Sequence, residues 1–322
     1  MILTYTNNAG QSLTMAAPDG MADTPYYVTG LEGAHGLEMD MNAVEQYPMD
    51  GSAFIGSRAK PREITISGII WGKHKARDRV AMLELMRPKE TGMLTATRDL
   101  WQLAARSGPV SAESRRDSYR FVRRIPCVIE RAPYFARASG DRFTLTLYCA
   151  APYWEDASGA TDVEMSQWLA AFEFPLEIPG GWLEEPLWKR NDGIGFEFGT
   201  RAANVITNVV NPGDMPCGFV VDMFATGHVV NPAIVNVATG QRMGFSLTME
   251  SGDVLEISTI FAQKYATLTN ADGERRNAFK DMTPNFTFFT LASGNNPLLV
   301  ECGDGDLYTE STVRFRPMYL GL

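Results

Sequence analysis

The chain has 322 residues, 45% of them hydrophobic and 21% charged, a balance that supports folded cores and excludes disorder as the default. Its net charge of -9 is uneven: through Ala157 there are 19 basic and 18 acidic residues, and beyond it 10 and 20. A near-neutral first half and an acidic second half exclude a general nucleic-acid binder, whose affinity depends on basic side chains displacing counterions from phosphates.

The first residues are polar and turn-rich, Tyr26 to Leu31 reads as a short strand, and the Gly-Ser segment from Gly51 to Ser57 reads as a loop. From Glu63 to Trp71 the chain alternates as a strand, with Ile64 and Ile66 on one face and Gly68 at a bulge or a point of close approach. Between Lys73 and Met86 the period changes. Ala76, Val80, Leu83 and Met86 form an apolar stripe at helical spacing, and Pro88 and Gly92 end the helix. Met93 to Thr97 reads as a strand and Ser107 to Asp117 as a polar loop. Tyr119 to Arg131 is strand-like, but Pro126 demotes it to an edge or bulged strand.

Phe143 to Trp154 alternates strictly until Pro152 stops it, with Phe143, Leu145, Leu147 and Cys149 on one face and Thr144, Thr146 and Tyr148 on the other. Residues 158–171 read as a linker between an N-terminal domain, 1–157, and a C-terminal domain, 172–322. Phe172 to Ile178 alternates again. Short strands follow at Ala203–Val210, Gly218–Phe224, Ala233–Val237, Phe245–Met249, Val254–Ser258, Tyr265–Thr269, Asn285–Leu291, Leu298–Cys302 and Thr312–Phe315. With Gly, Asn, Asp and Pro turns between them, the second half reads as a β-sandwich.

The chemistry-bearing residues are sparse. His35, His74 and His228 are scattered, and no G-x-S-x-G elbow, Walker loop or H-E-x-x-H occurs. Cys127, Cys149, Cys217 and Cys302 lack C-x-x-C spacing and nearby histidines, which points to buried reduced thiols. The G-D-G-D run from Gly303 to Asp306 lacks the acidic spacing of a calcium loop and reads as a turn. Glu184 and Glu185 beside Trp182 and Trp188 are the only hint of a hydrolase, and a weak one, because adjacent carboxylates seldom face each other across a sugar. No catalytic, metal or cofactor site is expected. Arg115, Arg116, Arg120, Arg123, Arg124 and Arg131 form a basic cluster read as a solvated or subunit-contacting face, with Arg120, Arg123, Arg124 and Arg131, on the edge strand itself, the candidate subunit contacts. Trp154, Trp182 and Trp188 are candidate interface aromatics. With no apolar stretch near the ~20 residues of a membrane span and no basic-then-apolar start, the chain is expected to be soluble and made in the cytoplasm.

In order along the chain, these segments resemble the distal tail (Dit) protein family of long-tailed bacteriophages. The resemblance rests on R-E-I-T-I-S-G from Arg62, L-E-L-M-R-P from Leu83 and F-T-L-T-L-Y-C-A-A-P-Y-W from Phe143. In the second half it rests on F-P-L-E-I-P from Phe174, N-V-V-N-P-G-D from Asn208, Leu247 to Ile257, L-A-S-G-N-N from Leu291 and V-R-F-R-P-M-Y-L-G from Val313. It implies a mainly β protein: an N-terminal β-barrel-like belt domain with one α-helix, then a C-terminal galectin-like β-sandwich. It further implies a homo-hexameric ring at the virion tail tip, assembled in the host cytoplasm, which joins the tail tube protein to the tip hub protein and helps to attach receptor-binding proteins. No membrane or sequence-specific nucleic-acid partner is implied. His228-Val-Val-Asn lacks the spacing and the Arg of a galectin sugar site. The Ser107–Asp117 and Trp182–Phe198 stretches read as contact loops, and a glycan-binding module of a cell-surface recognition apparatus is the competing function.

Overall fold

The computed structural model describes residues 1–17, 22–45, 50–99, 120–136, 141–165, 168–170, 199–201 and 205–322. The chain forms two compact units. Unit 1 comprises Met1–Ala160, Gly213–Met215 and Arg316–Leu322, and unit 2 comprises Thr161–Pro212 and Pro216–Phe315. The expected strand from Phe172 to Ile178 lies outside the described residues.

Unit 1 opens with β1 (Ile2–Asn7) and β2 (Ser12–Ala16), then β3 (Tyr26–Glu32), β4 (Met39–Glu45), β5 (Ser52–Ala59), β6 (Arg62–Ile70), α1 (Lys75–Leu85), β7 (Thr91–Asp99), β8 (Arg120–Phe135), β9 (Arg142–Cys149) and β10 (Trp154–Asp156). The start of the chain is therefore a hairpin rather than polar turns: Leu3, Tyr5, Leu13 and Met15 alternate inward and are buried. Hydrogen-bonded order runs β10-β8-β7-β1-β2-β3-β6-β9, and β8 also pairs with β9. Among the described residues, that extra pairing closes seven strands, β8-β7-β1-β2-β3-β6-β9, into a barrel.

Of the two alternatives, β8 is thus the bulged strand and not an edge strand: its pairing with β9 shifts register between Ile129 and Arg131 and again between Arg131 and Tyr134. It runs for 16 residues, pairs with β7 along one side from Thr91–Val128 to Asp99–Arg120, and on the other meets β10 at Arg124 and β9 from Val128 onward. Pro126, which has no N–H to give, falls between the β10 and β9 pairings, where a missing ladder bond costs least. β9 alternates as its sequence dictates, with Phe143, Leu145, Leu147 and Cys149 buried. Its neighbour β6 buries Ile64, Ile66 and Ile70. Gly68 is a point of close approach: a Cβ there would overlap the Phe143 ring and the Tyr27 carbonyl oxygen.

The helix forms as expected but turns a different face inward. Met82 and Met86 are buried, Lys75, Asp78, Arg79 and Leu85 are half-buried, and Ala76, Val80 and Leu83 are exposed. The two methionines, four apart and flexible enough to fill an irregular gap, reach the core. The stripe read from Ala76, Val80 and Leu83 lies about a third of a turn away.

Unit 2 contains β11 (Thr161–Glu164), β12 (Trp168–Ala170), β13 (Gly199–Arg201), β14 (Ile206–Asn211), β15 (Phe219–Ala225), β16 (Val229–Val230), β17 (Ala233–Asn236), β18 (Arg242–Gly244), β19 (Thr248–Met249), β20 (Val254–Ser258), β21 (Tyr265–Thr269), β22 (Arg275–Asn277), β23 (Gly294–Glu301) and β24 (Thr309–Phe315). The chain ends with β25 (Met318–Tyr319), paired with β10 in unit 1. A six-stranded sheet, β11-β24-β15-β20-β21-β22, and a four-stranded sheet, β14-β23-β17-β18, make the sandwich. In β15, Phe219, Val221 and Met223 point into the core while Val220, Asp222 and Phe224 point away from it.

Two boundaries depart from expectation. Thr161–Glu164, inside the expected linker, pairs with β24 from Thr161–Phe315 to Glu164–Thr312, and Arg316–Leu322 belongs to unit 1. Asn285–Leu291 is no strand: apart from one bridge from Leu291 to Cys217 it is irregular, with Phe289 buried in the core and Phe286 and Phe288 half-buried at its margin. Phe289 packs against Phe219 and Phe286 against Phe245, each at 5.3 Å between ring centres. The G-D-G-D run is a turn, whose Asp306 carboxylate accepts the Cys302 N–H at 2.6 Å.

Two measurements test this architecture. Gly68→Ala is expected to lower the stability of unit 1 by about 1–3 kcal/mol in urea unfolding, the usual cost of overpacking a core. On unit 2, Asp222 sits directly across from Glu256. Burial, then the Glu256 charge, raises its pKa, against the opposing pull of Arg314. The folded state then holds a proton over a window above 3.8 that the unfolded chain has lost, so this group's contribution to stability falls as pH rises through that window. Asp222→Asn should therefore raise the unfolding midpoint of unit 2 at neutral pH, with the gain fading below the window.

Candidate assembly surface

β4 and β5 pair only with each other among the described residues, forming a two-stranded ribbon apart from the barrel sheet. The segment expected as a loop at Gly51–Ser57 is one strand of it. A register shift between Asn42 and Ala43 leaves Ile55 unpaired in β5, and this bulge breaks the alternation that would otherwise mark Ser52–Ala59 as a strand. The register sorts the side chains. Met39, Met41 and Ala43 share a face with their partners Ala59, Ser57 and Phe54, whereas Asp40, Asn42 and Val44 share the other with Arg58, Gly56 and Ala53. On the polar face Arg58 donates to Asp40 at 3.0 Å. On the apolar side Met41 and Phe54 are 66% and 65% exposed, and the bulged Ile55 is 62% exposed. A two-stranded ribbon is marginal by itself in water, and a contiguous apolar patch of this kind marks a surface that is covered in use.

The barrel wall carries a second apolar feature. Tyr27, Val28, Thr29, Ile69 and Trp71 line a groove of about 410 Å³, with the Trp71 ring exposed at its end. Tyr27 and Ile69 are cross-strand partners on β3 and β6, which fixes the floor.

The arginines of β8 are placed differently from expectation. Arg123 stacks between the rings of Phe121 and Tyr319, at 4.7 and 3.9 Å, and donates to the Gly321 carbonyl. Arg124 forms a two-pronged pair with Glu155 at 3.1 and 3.2 Å. Both are committed inside unit 1. Arg131 is exposed beside a β8–β9 register shift and remains available to a neighbour. Arg120 lies in β8, but its side chain is outside the described residues, as are Arg115, Arg116, Trp182, Glu184, Glu185, Trp188 and both expected contact loops. Trp154 is a core residue, 0% exposed, with its indole N–H donated to the Ala34 carbonyl at 3.1 Å. It anchors unit 1 rather than an interface.

Sequence reasoning passed over Arg62. Only 3% exposed, it donates to the carbonyls of Gly33, Pro152 and Leu320, and burial lowers its pKa. Gly33 is suited to its role: at a φ of 76° its Cβ would collide with the Glu63 carbonyl. The one clue in the sequence was an arginine opening an otherwise apolar-alternating strand. The histidines stay dispersed: His35 contacts the Leu322 carbonyl, His74 occupies the N-cap position of α1 without a side-chain hydrogen bond to it, and His228 pairs with Glu250 at 2.9 Å. Among the described residues, no group of three or more His, Cys, Asp or Glu side chains is arranged to hold a metal ion.

Residues 212–319 match the family model of the siphovirus-type tail component, C-terminal domain, so the second half carries a domain of long-tailed phage tails. The whole chain also has the fold of the SPP1 Dit protein, described as a paradigm of the hub adsorption apparatus in phages infecting Gram-positive bacteria. The likeness has a TM-score of 0.58 at 12% identity and covers 99% of both chains. A looser likeness, with a TM-score of 0.46 at 9% identity and coverage of 98% of this chain and 97% of the other, links it to the phage p2 baseplate in its activated conformation. No curated protein sequence matches. Residues 212–319 are thus similar to a phage tail component domain, and the full-length likeness, at 12% identity, shows the fold of a distal tail protein.

Arg62→Met should destabilise unit 1 by on the order of 3 kcal/mol, because three buried carbonyls lose a charged donor. Deleting Arg316–Leu322 should weaken the same unit. Amide hydrogen exchange is expected to rise across β6, β8 and β9 and to stay unchanged in β15 and β20.

Proposed function

We propose that the chain is a ring-forming adaptor of the phage tail tip, a homo-hexamer that joins the tail tube to the hub and acts without catalytic turnover. Unit 1 forms the ring, unit 2 offers attachment for receptor-binding components, and the protein resides at the virion tail tip after assembly in the host cytoplasm. The observation that carries this reading is the amphipathic ribbon of β4 and β5. A ring of identical subunits needs a head-to-tail contact whose two faces differ, and unit 1 has a projecting apolar ribbon on one hand and an apolar groove at Tyr27, Ile69 and Trp71 on the other. Covering Met41, Phe54 and Ile55 contributes about 1.5–3 kcal/mol per side chain, enough across six contacts to hold a closed ring. The SPP1 relative belongs to a hub, which fits a ring of this kind.

Native mass spectrometry and negative-stain imaging test the reading. The full chain is expected as closed hexamers, and the double substitution Phe54→Asp, Ile55→Asp as folded monomers, with the urea midpoints of both units kept. A wild-type chain that stays monomeric at assembly concentrations, or rings that survive the double substitution, would contradict the ribbon's role.

A further inference from the structure

Cys127 on β8 and Cys149 on β9 stand opposite each other. The β8–β9 register pairs Ile129 with Leu147 and Val128 with Tyr148, and one step further along brings Cys127 to Cys149. Both are buried, 2% and 0% exposed, and Cys127 is the largest influence on the Cys149 thiol. Opposed residues of an antiparallel pair have Cα atoms about 4.5–5.5 Å apart, inside the roughly 4.4–6.8 Å range of disulfides. The other two cysteines have no such partner: Cys217 exchanges main-chain hydrogen bonds with Leu291, and Cys302 contacts the Thr309 hydroxyl at 3.4 Å.

The location gives the pair its meaning. β8–β9 is the pairing that closes the barrel, and Cys127 and Cys149 sit at its end, where the free side of β8 passes to β10. We propose that Cys127 and Cys149 are a redox-responsive lock on this seam, converted to a cross-strand disulfide when the seam opens in the presence of a low-molecular-weight disulfide. One cysteine thiolate attacks the external disulfide and releases one small thiol. The second cysteine then attacks the mixed disulfide and releases the other. Two electrons pass from the protein pair to the oxidant, whose two sulfurs leave as thiols carrying the two protons. In the closed, reduced barrel the exchange is held off, because the hydrogen bond to Cys127 and then burial raise the Cys149 pKa well above the usual thiol range. The lock is therefore set during folding or breathing and stable afterwards.

The test uses the full chain incubated with oxidised glutathione at urea concentrations spanning the onset of unfolding, then unfolded, alkylated and weighed. Free thiols should fall from four to two, so the alkylated chain should be lighter than the reduced control by the mass added in two alkylations and by the two hydrogens, about 2 Da, lost as the disulfide forms. Peptide mapping should join the segments holding Cys127 and Cys149. The double variant Cys217→Ala, Cys302→Ala should lose both remaining thiols, whereas Cys127→Ala and Cys149→Ala should form no internal bridge. The oxidised protein should unfold unit 1 at higher urea than the reduced form, while unit 2 is unmoved. Four alkylated thiols after the seam has opened, persistent glutathione adducts, or a bridge that uses Cys217 or Cys302 would each overturn the proposal.

Discussion

The closure of one long strand onto two neighbours constrains everything else in unit 1. β8 pairs with β7 along one side and divides the other between β10 and β9, and closing a sheet removes the exposed edges that invite further strands. The barrel is then sealed around Leu3, Tyr5, Ile64, Ile66, Leu94, Ile125, Phe143 and Leu145. A sealed barrel has no strand edge to lend to a neighbour, so contact between copies falls to what projects from it. In the proposed ring the β4–β5 ribbon suits that role, with Met41, Phe54 and Ile55 left in water.

Arg62 ties three segments that strand pairing does not unite. Its fork reaches the turn after β3, the Pro152 stop after β9, and the return segment at Leu320. Taking a guanidinium out of water is costly and is offset only when its donors are met, so the arginine makes these three positions mutually dependent. Arg123 adds a second tie to the return segment through Gly321, with its charge between two rings. Unit 1 therefore cannot satisfy its buried charge from Met1–Ala160 alone. The N-terminal strands are made first, but the carbonyl that completes the Arg62 shell is added only after the whole of unit 2.

Much of this fold was legible where one period dominates. β6 and β9 alternate without interruption, with one face fully buried, and turn residues separate the strands of unit 2 cleanly. The helix was legible as a helix but not in its orientation, since Val80 and Leu83 are more apolar than the half-buried Asp78 and Arg79, and only tertiary packing selects the methionine face. β5 was hidden because the bulge at Ile55 throws its alternation out of phase within a Gly-Ser context. The edge assignment of β8 failed for a topological reason: a proline signals a missing donor but not which side of the strand lacks a partner, nor that two strands share that side. Arg62 escaped notice because an arginine at a strand end ordinarily faces water, and the carbonyls that bury it come from residues 33, 152 and 320.

The ribbon also explains how an exposed apolar surface avoids indiscriminate association. Its other face carries the Arg58–Asp40 pair beside Val44 and Ala53, so covering that side would also take a charged pair out of water. The bulge at Ile55 interrupts the even spacing of main-chain groups on which edge-to-edge stacking relies. Lys60 and Glu38 flank its root with a further exposed pair, and charges near a ribbon's ends discourage a second ribbon from sliding along it in an arbitrary register. What remains favourable is a partner that offers a concave apolar seat and approaches from the Met41, Phe54 and Ile55 side. A contact so restricted in direction repeats with the same rotation from copy to copy, and it closes a ring only where that rotation divides a full turn with no rise along the axis; otherwise it extends a fibre.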